Sequence, residues 1–120
     1  MAKSTNRYFQ FTGSSKKAVV SGQLWFPAAD VYQTPDGWVV KVELAGVSAE
    51  DMVIEVQKNT LHIAGSRRDR SCVDGISYQQ MEITYSSFEK TLRFPSSIDG
   101  AHIEHMFENG LLIIHLKKAS

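Results

Sequence analysis

Four histidines, one cysteine and a run of arginines are the residues of this chain best equipped for chemistry, and their spacing decides how much they can do. His102 and His105 stand three apart, an odd interval that sends them to opposite faces of an extended strand. His62 and His115 fall in separate stretches, with no Cys or Asp cluster at a recognised ligand spacing. All four read as ordinary strand histidines, so no metal is expected. Cys72 follows Arg67, Arg68 and Arg70, whose positive charge favours the thiolate. It is either an inert loop thiol or a redox-sensing or intermolecularly bridging one. No nucleophile elbow, phosphate-cradling Gly-rich loop or dinucleotide fingerprint is present, so neither enzyme activity nor a cofactor is expected.

The bulk composition narrows the partners. Thirteen basic residues balance thirteen acidic ones, which removes the overall positive charge expected of a nucleic-acid binder. The balance hides an asymmetry: Lys3, Arg7, Lys16 and Lys17 precede the first acid, Asp30. A short terminus with scattered lysines among Ser, Thr and Asn reads as a flexible tail rather than a phosphate-binding arm. A single cysteine excludes an internal disulfide framework and points to a reducing compartment. No run approaches the roughly 18 apolar residues of a membrane span, and no apolar signal core follows Met1. A cytoplasmic location without stable membrane insertion is expected.

The elements that must position any site follow a period of two. Trp38 to Leu44, Met52 to Val56, Leu61 to Ile63, Thr91 to Phe94 and Leu111 to Leu116 are short β-branched or aromatic stretches, most of them alternating in polarity. Turn chemistry bounds each. Thr34-Pro35-Asp36-Gly37 predicts a hairpin between Val31–Gln33 and Trp38–Leu44, and Lys58-Asn59-Thr60 predicts another. Asn109-Gly110 is the strongest hairpin signal in the chain. Ser48 to Asp51 offers a capping-type start for no more than one helical turn. The pattern predicts an all-β, immunoglobulin-like β-sandwich of about seven to eight short antiparallel strands. Outside it lie residues 1–24, an arm carrying Tyr8, Phe9, Phe11, Val19 and Val20, and a long polar connection from Ser66 to Gln80. A structureless loop of that length calls for a reason.

Order and spacing of these pieces resemble the α-crystallin domain of the small heat shock proteins, bacterial or plant type, over residues 25–117. Trp25-Phe26-Pro27-Ala28-Ala29-Asp30-Val31 resembles the family's opening strand. Val42-Glu43-Leu44-Ala45-Gly46-Val47 is similar to its E-L-P-G-V corner, with alanine in place of proline. Leu61 to Arg67 matches the L-x-I-x-G-x-R strand. Tyr78, Glu82, Phe88, Leu92, Arg93 and Pro95 are spaced as in its Y-x-x-x-E…F…L-R-x-P stretch, and His105 with Asn109 to Leu112 resembles A-x-x-x-N-G-V-L. Gln80 and Ile83 stand where relatives often carry arginine, Ser86 where glycine is usual, and Lys90 replaces another basic residue.

The resemblance implies an ATP-independent holdase that binds partly unfolded client proteins and prevents their aggregation; a CS-domain co-chaperone adaptor is the alternative. It implies a groove at the sandwich edge bordered by Met52, Ile54, Val56, Ile103, His105 and Phe107, which in the family receives an Ile-x-Ile segment from a neighbouring subunit. The same residues read equally well as core. It implies a homodimer formed by exchange of a strand near Ile76–Gln79, with Ile76, Tyr78, Glu82, Lys90 and Arg93 at the interface and its ion pairs weakened or rebuilt. The apolar arm residues Tyr8, Phe9, Phe11, Val19 and Val20 are expected to bind clients or to occupy the groove. Residues 118–120 read as a vestigial or truncated tail, and large tail-linked shells are not expected.

Overall fold

The computed structural model describes residues 7–10, 24–71 and 73–118. Among the described residues eight strands follow in order: β1 (Arg7–Gln10), β2 (Ala29–Thr34), β3 (Gly37–Glu43), β4 (Met52–Gln57), β5 (Thr60–Ser66), β6 (Ser87–Arg93), β7 (His102–Glu108) and β8 (Leu111–Lys117). They form two antiparallel four-stranded sheets, ordered β1-β4-β5-β6 and β2-β3-β8-β7. The all-β sandwich expected from the period-2 pattern is therefore the fold.

Local chemistry explains the hairpins. Asn109 and Gly110 both take positive φ, 53° and 81°, the twist that a two-residue turn needs to match its strands, and β7 and β8 pair from Glu108↔Leu111 to His102↔Lys117. Pro35-Asp36 closes β2 onto β3, and Lys58-Asn59 closes β4 onto β5. Lys58 adopts φ 57° without being glycine, a conformation that costs about 1 kcal/mol. Its surroundings hold it there: the Lys58 N–H donates to Asp99 (3.0 Å), its carbonyl accepts from the Ile98 N–H (2.7 Å), and Asn59 exchanges bonds with the Phe94 backbone.

Alternation then builds the core. Val40, Val42 and Leu44, Met52, Ile54 and Val56, Leu61 and Ile63, and Leu112, Ile114 and Leu116 are each at most 2% exposed and meet between the sheets. Burying such a side chain contributes about 1.5–3 kcal/mol. Edge-on aromatic pairs close the two ends, Trp38 on Phe94 at 5.3 Å and Trp25 on Phe88 at 5.4 Å.

The start at Ser48 yields one 3-10 turn, Ala49–Asp51, as expected. Two elements differ from the sequence reading. The described residues between 67 and 86 form no strand, Ile76–Gln79 included. Residues 7–10, within the segment read as an arm, pair with β4.

Gly65 shows why one position admits no side chain. A Cβ there would lie 2.3 Å from the Asp51 carbonyl oxygen and 3.0 Å from the Met52 Cα, both backbone atoms where β4 starts beside β5. Gly65→Ala is expected to destabilise the domain by about 2–3 kcal/mol. Urea unfolding followed by tryptophan fluorescence checks this, the midpoint falling while the slope stays unchanged.

Candidate functional site

The long connection after β5 is fixed at its base by arginines. Arg67 leaves the end of β5 with its guanidinium 3.7 Å from the centre of the Trp25 ring. Its Nε donates to the Thr84 carbonyl at 2.9 Å and its terminal nitrogen to the Ala45 carbonyl at 3.1 Å. One planar side chain thus joins the opening segment, the corner after β3, the end of β5 and the far end of the connection, a task that suits the rigid fork of arginine. Partial burial pulls its pKa below the ordinary value.

Arg70 reaches back to the 3-10 turn, bonding the Asp51 carboxylate and lying 3.1 Å from that of Glu50. The hydrogen bond to Asp51 raises the Arg70 pKa above its ordinary value. Arg68 donates to Ser66 and stands 4.0 Å from Asp51, whose side chain is only 7% exposed. Within the connection, Asp69 accepts bonds from the Ser71 hydroxyl (2.7 Å), the Tyr78 phenol (2.7 Å) and the Ser71 N–H (3.1 Å). Those bonds hold its carboxyl below the usual carboxylate value.

Beyond this anchored base the connection is exposed from Val73 to Ile83. Val73, Ile76, Tyr78, Met81 and Ile83 all present apolar surface, and Glu82 is exposed among them. Lys90 is half-buried on β6 opposite Ile63, and Arg93 is exposed opposite Thr60. On the other sheet the edge strand β2 carries exposed Val31 and Tyr32.

The six residues read as groove borders divide. Met52, Ile54 and Val56 point into the core, so what β4 offers at its outer edge is backbone. On β7, Ile103 packs against the core, His105 is half-buried and Phe107 is 37% exposed. The Lys58 bonds to Ile98 and Asp99 set the turn after β4 beside the residues that lead into β7. The outer edge of β4 is occupied by β1 in antiparallel register: Arg7↔Val56, Tyr8↔Glu55, Phe9↔Ile54 and Gln10↔Val53. Tyr8 and Phe9 lie in that strand, whereas Phe11, Val19, Val20 and Cys72 lie outside the described residues.

His102 donates to the Glu104 carboxylate at 3.1 Å, and His62 meets the Thr91 hydroxyl at 2.8 Å. Among the described residues no group of three or more His, Cys, Asp and Glu could hold a metal ion. Sequence reasoning had Arg67 inside a motif but missed its partner Trp25, and it missed the pairing of Arg70 with Asp51. The visible signals were the arginine run and the acids of the capping-type turn, which nothing local connects.

Comparison with known proteins decides the family. The family model described as Hsp20/alpha crystallin family matches residues 30–120. The chain belongs to that family. Its members are small heat shock proteins, chaperones rather than enzymes. The chain is 29% identical over 110 residues to small heat shock protein C2 of Rickettsia felis, covering 92% of this chain and 68% of that protein. It is 35% identical over 95 residues to heat shock protein 16 of Schizosaccharomyces pombe, covering 77% and 66%, and 30% identical to the pea 22.7 kDa class IV heat shock protein, covering 76% and 47%. The chain thus spans about half to two thirds of these relatives. Among solved structures, heat shock protein 16.0 from Schizosaccharomyces pombe superimposes with a TM-score of 0.71 at 32% identity, over 78% of this chain and 87% of that one. A small heat shock protein from Xylella fastidiosa follows at 0.64 and 26%, over 80% and 88%. These comparisons support a small heat shock protein chaperone function, and none favours a CS-domain adaptor.

The Asp69 bonds generate a pH prediction. A carboxyl whose folded pKa is depressed contributes order above its unfolded value and loses it as pH falls through the folded one. Amide-exchange protection at Ser71 should hold from neutral pH down past the ordinary carboxylate value of 3.8, then vanish. In Asp69→Ala that protection should be absent at every pH.

Proposed function

We propose that this α-crystallin-domain protein is an ATP-independent holdase, which binds partly unfolded proteins under stress and keeps them from aggregating. The observation that carries the reading is family membership joined to apolar surface left uncovered on one sandwich: Leu24, Phe26, Val73, Ile76, Met81 and Ile83 are each about half exposed or more. Exposed apolar patches on a chain of this size mark an interaction surface. Unfolded chains offer the matching chemistry, apolar side chains without a fixed sequence.

The homodimer by strand exchange belongs to the same proposal. Among the described residues Ile76 to Gln79 form no strand, and β2 is the outermost strand of its sheet. Adding that segment to a partner's β2 would extend the sheet, with Tyr78 seated against the partner and Glu82, Lys90 and Arg93 at its margin. Because Gln80 and Ile83 replace arginines usual in relatives, the contact would lean on apolar burial more than on ion pairs. A cytoplasmic site of action is part of the proposal; no helix among the described residues is long and apolar enough to cross a membrane.

The test heats an unrelated aggregation-prone enzyme without ATP, with and without this protein, and records light scattering. Suppression of scattering at a few-fold molar excess supports the holdase, and undiminished scattering overturns it. In parallel, Ile76→Asp with Tyr78→Asp should lower the mass seen by multi-angle scattering to the 13.4 kDa of one chain, weakening association by roughly a hundredfold or more. An unchanged mass would remove the exchange interface from the proposal.

A further inference from the structure

Asn109-Gly110 is the one Asn-Gly pair in the sequence, and such a pair carries a reaction of its own. The backbone nitrogen of Gly110 adds to the side-chain carbonyl carbon of Asn109, the C–N bond to the side-chain nitrogen breaks, and ammonia leaves behind a five-membered succinimide. Water then opens the ring at either carbonyl. One product is aspartate; the other is isoaspartate, in which the main chain runs through the former side chain and is one carbon longer. The conversion takes up one water, releases one ammonia and involves no oxidant or reductant. Glycine favours it, because the attacking nitrogen has no Cβ beside it.

Comparable positions show how the fold suppresses such chemistry elsewhere. Asn59 precedes the β-branched Thr60, and its amide nitrogen donates to the Phe94 carbonyl at 3.0 Å. Asp36 accepts from the Thr34 hydroxyl at 3.1 Å, and the following Gly37 is buried where a Cβ would run into the Leu116 carbonyl oxygen. Asp99, ahead of Gly100, accepts the Lys58 N–H at 3.0 Å. Asn109 differs. It is exposed, and among the described residues its side chain has no hydrogen-bond partner.

The turn itself acts as the latch. With φ of 53° and 81°, Asn109 and Gly110 have the signature of a type I′ turn, whose ψ places the Gly110 nitrogen on the side of the main chain away from the Asn109 Cβ. The ring cannot close there. Turning over the Asn109–Gly110 peptide gives the type II′ turn, which keeps the φ of Asn109, reverses that of glycine and brings the nitrogen round to the side chain. Heat populates the opened turn and speeds the chemistry within it.

We propose that Asn109 is a self-modification site: conversion to isoaspartate through a succinimide opens the tip of the β7–β8 hairpin and leaves a lasting mark of exposure to heat. This goes beyond the holdase reading and does not depend on it. The extra main-chain carbon no longer fits a two-residue turn closed by Glu108↔Leu111. It displaces the Gly110 carbonyl, which accepts the Leu44 N–H at 2.9 Å and ties the turn to the corner after β3. The new carboxylate also joins Glu43 and Glu108, which flank Leu111 across the sheet, and like charges set side by side weaken pairing.

The experiment holds the full chain at a temperature below its unfolding transition, beside the same chain in urea and a synthetic peptide copying residues 106–113. Mass spectrometry of tryptic peptide 94–117 should show the gain of an amide-to-acid conversion at Asn109, with isoaspartate the larger product. The conversion should run about tenfold faster in the unfolded chain, because the turn must open first. Asn109→Gly, which suits a type I′ turn and has no amide, should show no gain. Amide-exchange protection of Leu44 should fall in step with the modified fraction, whereas Asn109→Asp, which adds the charge without the extra carbon, should keep it. Asn109 intact in the folded chain after the peptide has fully converted overturns the proposal, as does equal conversion in the folded and unfolded chains. Undiminished Leu44 protection in modified chain, or its equal loss in Asn109→Asp, overturns the opening of the tip by isoaspartate.

Discussion

A sandwich of short strands depends on what closes its edges, because every outermost strand offers a row of backbone donors and acceptors that must find water or a partner. The interior of this one closes itself: the inward residues of β3, β4, β5 and β8 are almost wholly buried. Everything distinctive then happens at the margins. One edge is charged, another is covered by residues 7–10, and β2 carries exposed Val31 and Tyr32 in a position that an added strand would satisfy. An architecture that leaves edges in graded states of protection is suited to association by strand addition, the mode of the proposed dimer.

The connection between β5 and β6 shows how a segment can be anchored and yet available. Its base is held by Arg67 stacked on Trp25 and by Arg70 on the acids of the 3-10 turn. These partly sheltered, hydrogen-bonded contacts lose less to solvent than free surface ion pairs, which contribute little. From Val73 to Ile83 the chain is exposed, and the Tyr78 phenol donates to Asp69. The contrast localises order where the sandwich needs it and leaves Ile76 to Ile83 with apolar side chains in water, a state that favours any process that buries them.

Much of this was legible in the chain. Asn109-Gly110, Pro35-Asp36 and Lys58-Asn59 announced their hairpins, since positive φ and a locked proline are properties of single residues. Period-2 alternation marked Met52 to Val56, Leu61 to Ile63 and Leu111 to Leu116 as strands. The anchoring pairs were not legible. Arg67 and Trp25 are far apart in sequence, and no local rule says which aromatic a guanidinium will meet. Likewise a period-2 reading assigns Met52, Ile54 and Val56 to one face but does not say how far that face is covered; the opposing sheet buries all three.

What the sequence by itself determined is most of the sandwich strands and the turns that join them, because these depend on neighbours a few residues apart and on a periodicity that the backbone imposes. Tertiary structure alone decided which strands become edges, that β1 lies along β4, and that a single arginine joins four segments. Those outcomes depend on contacts between residues distant in the chain, whose closure entropy is repaid only when the whole sandwich forms.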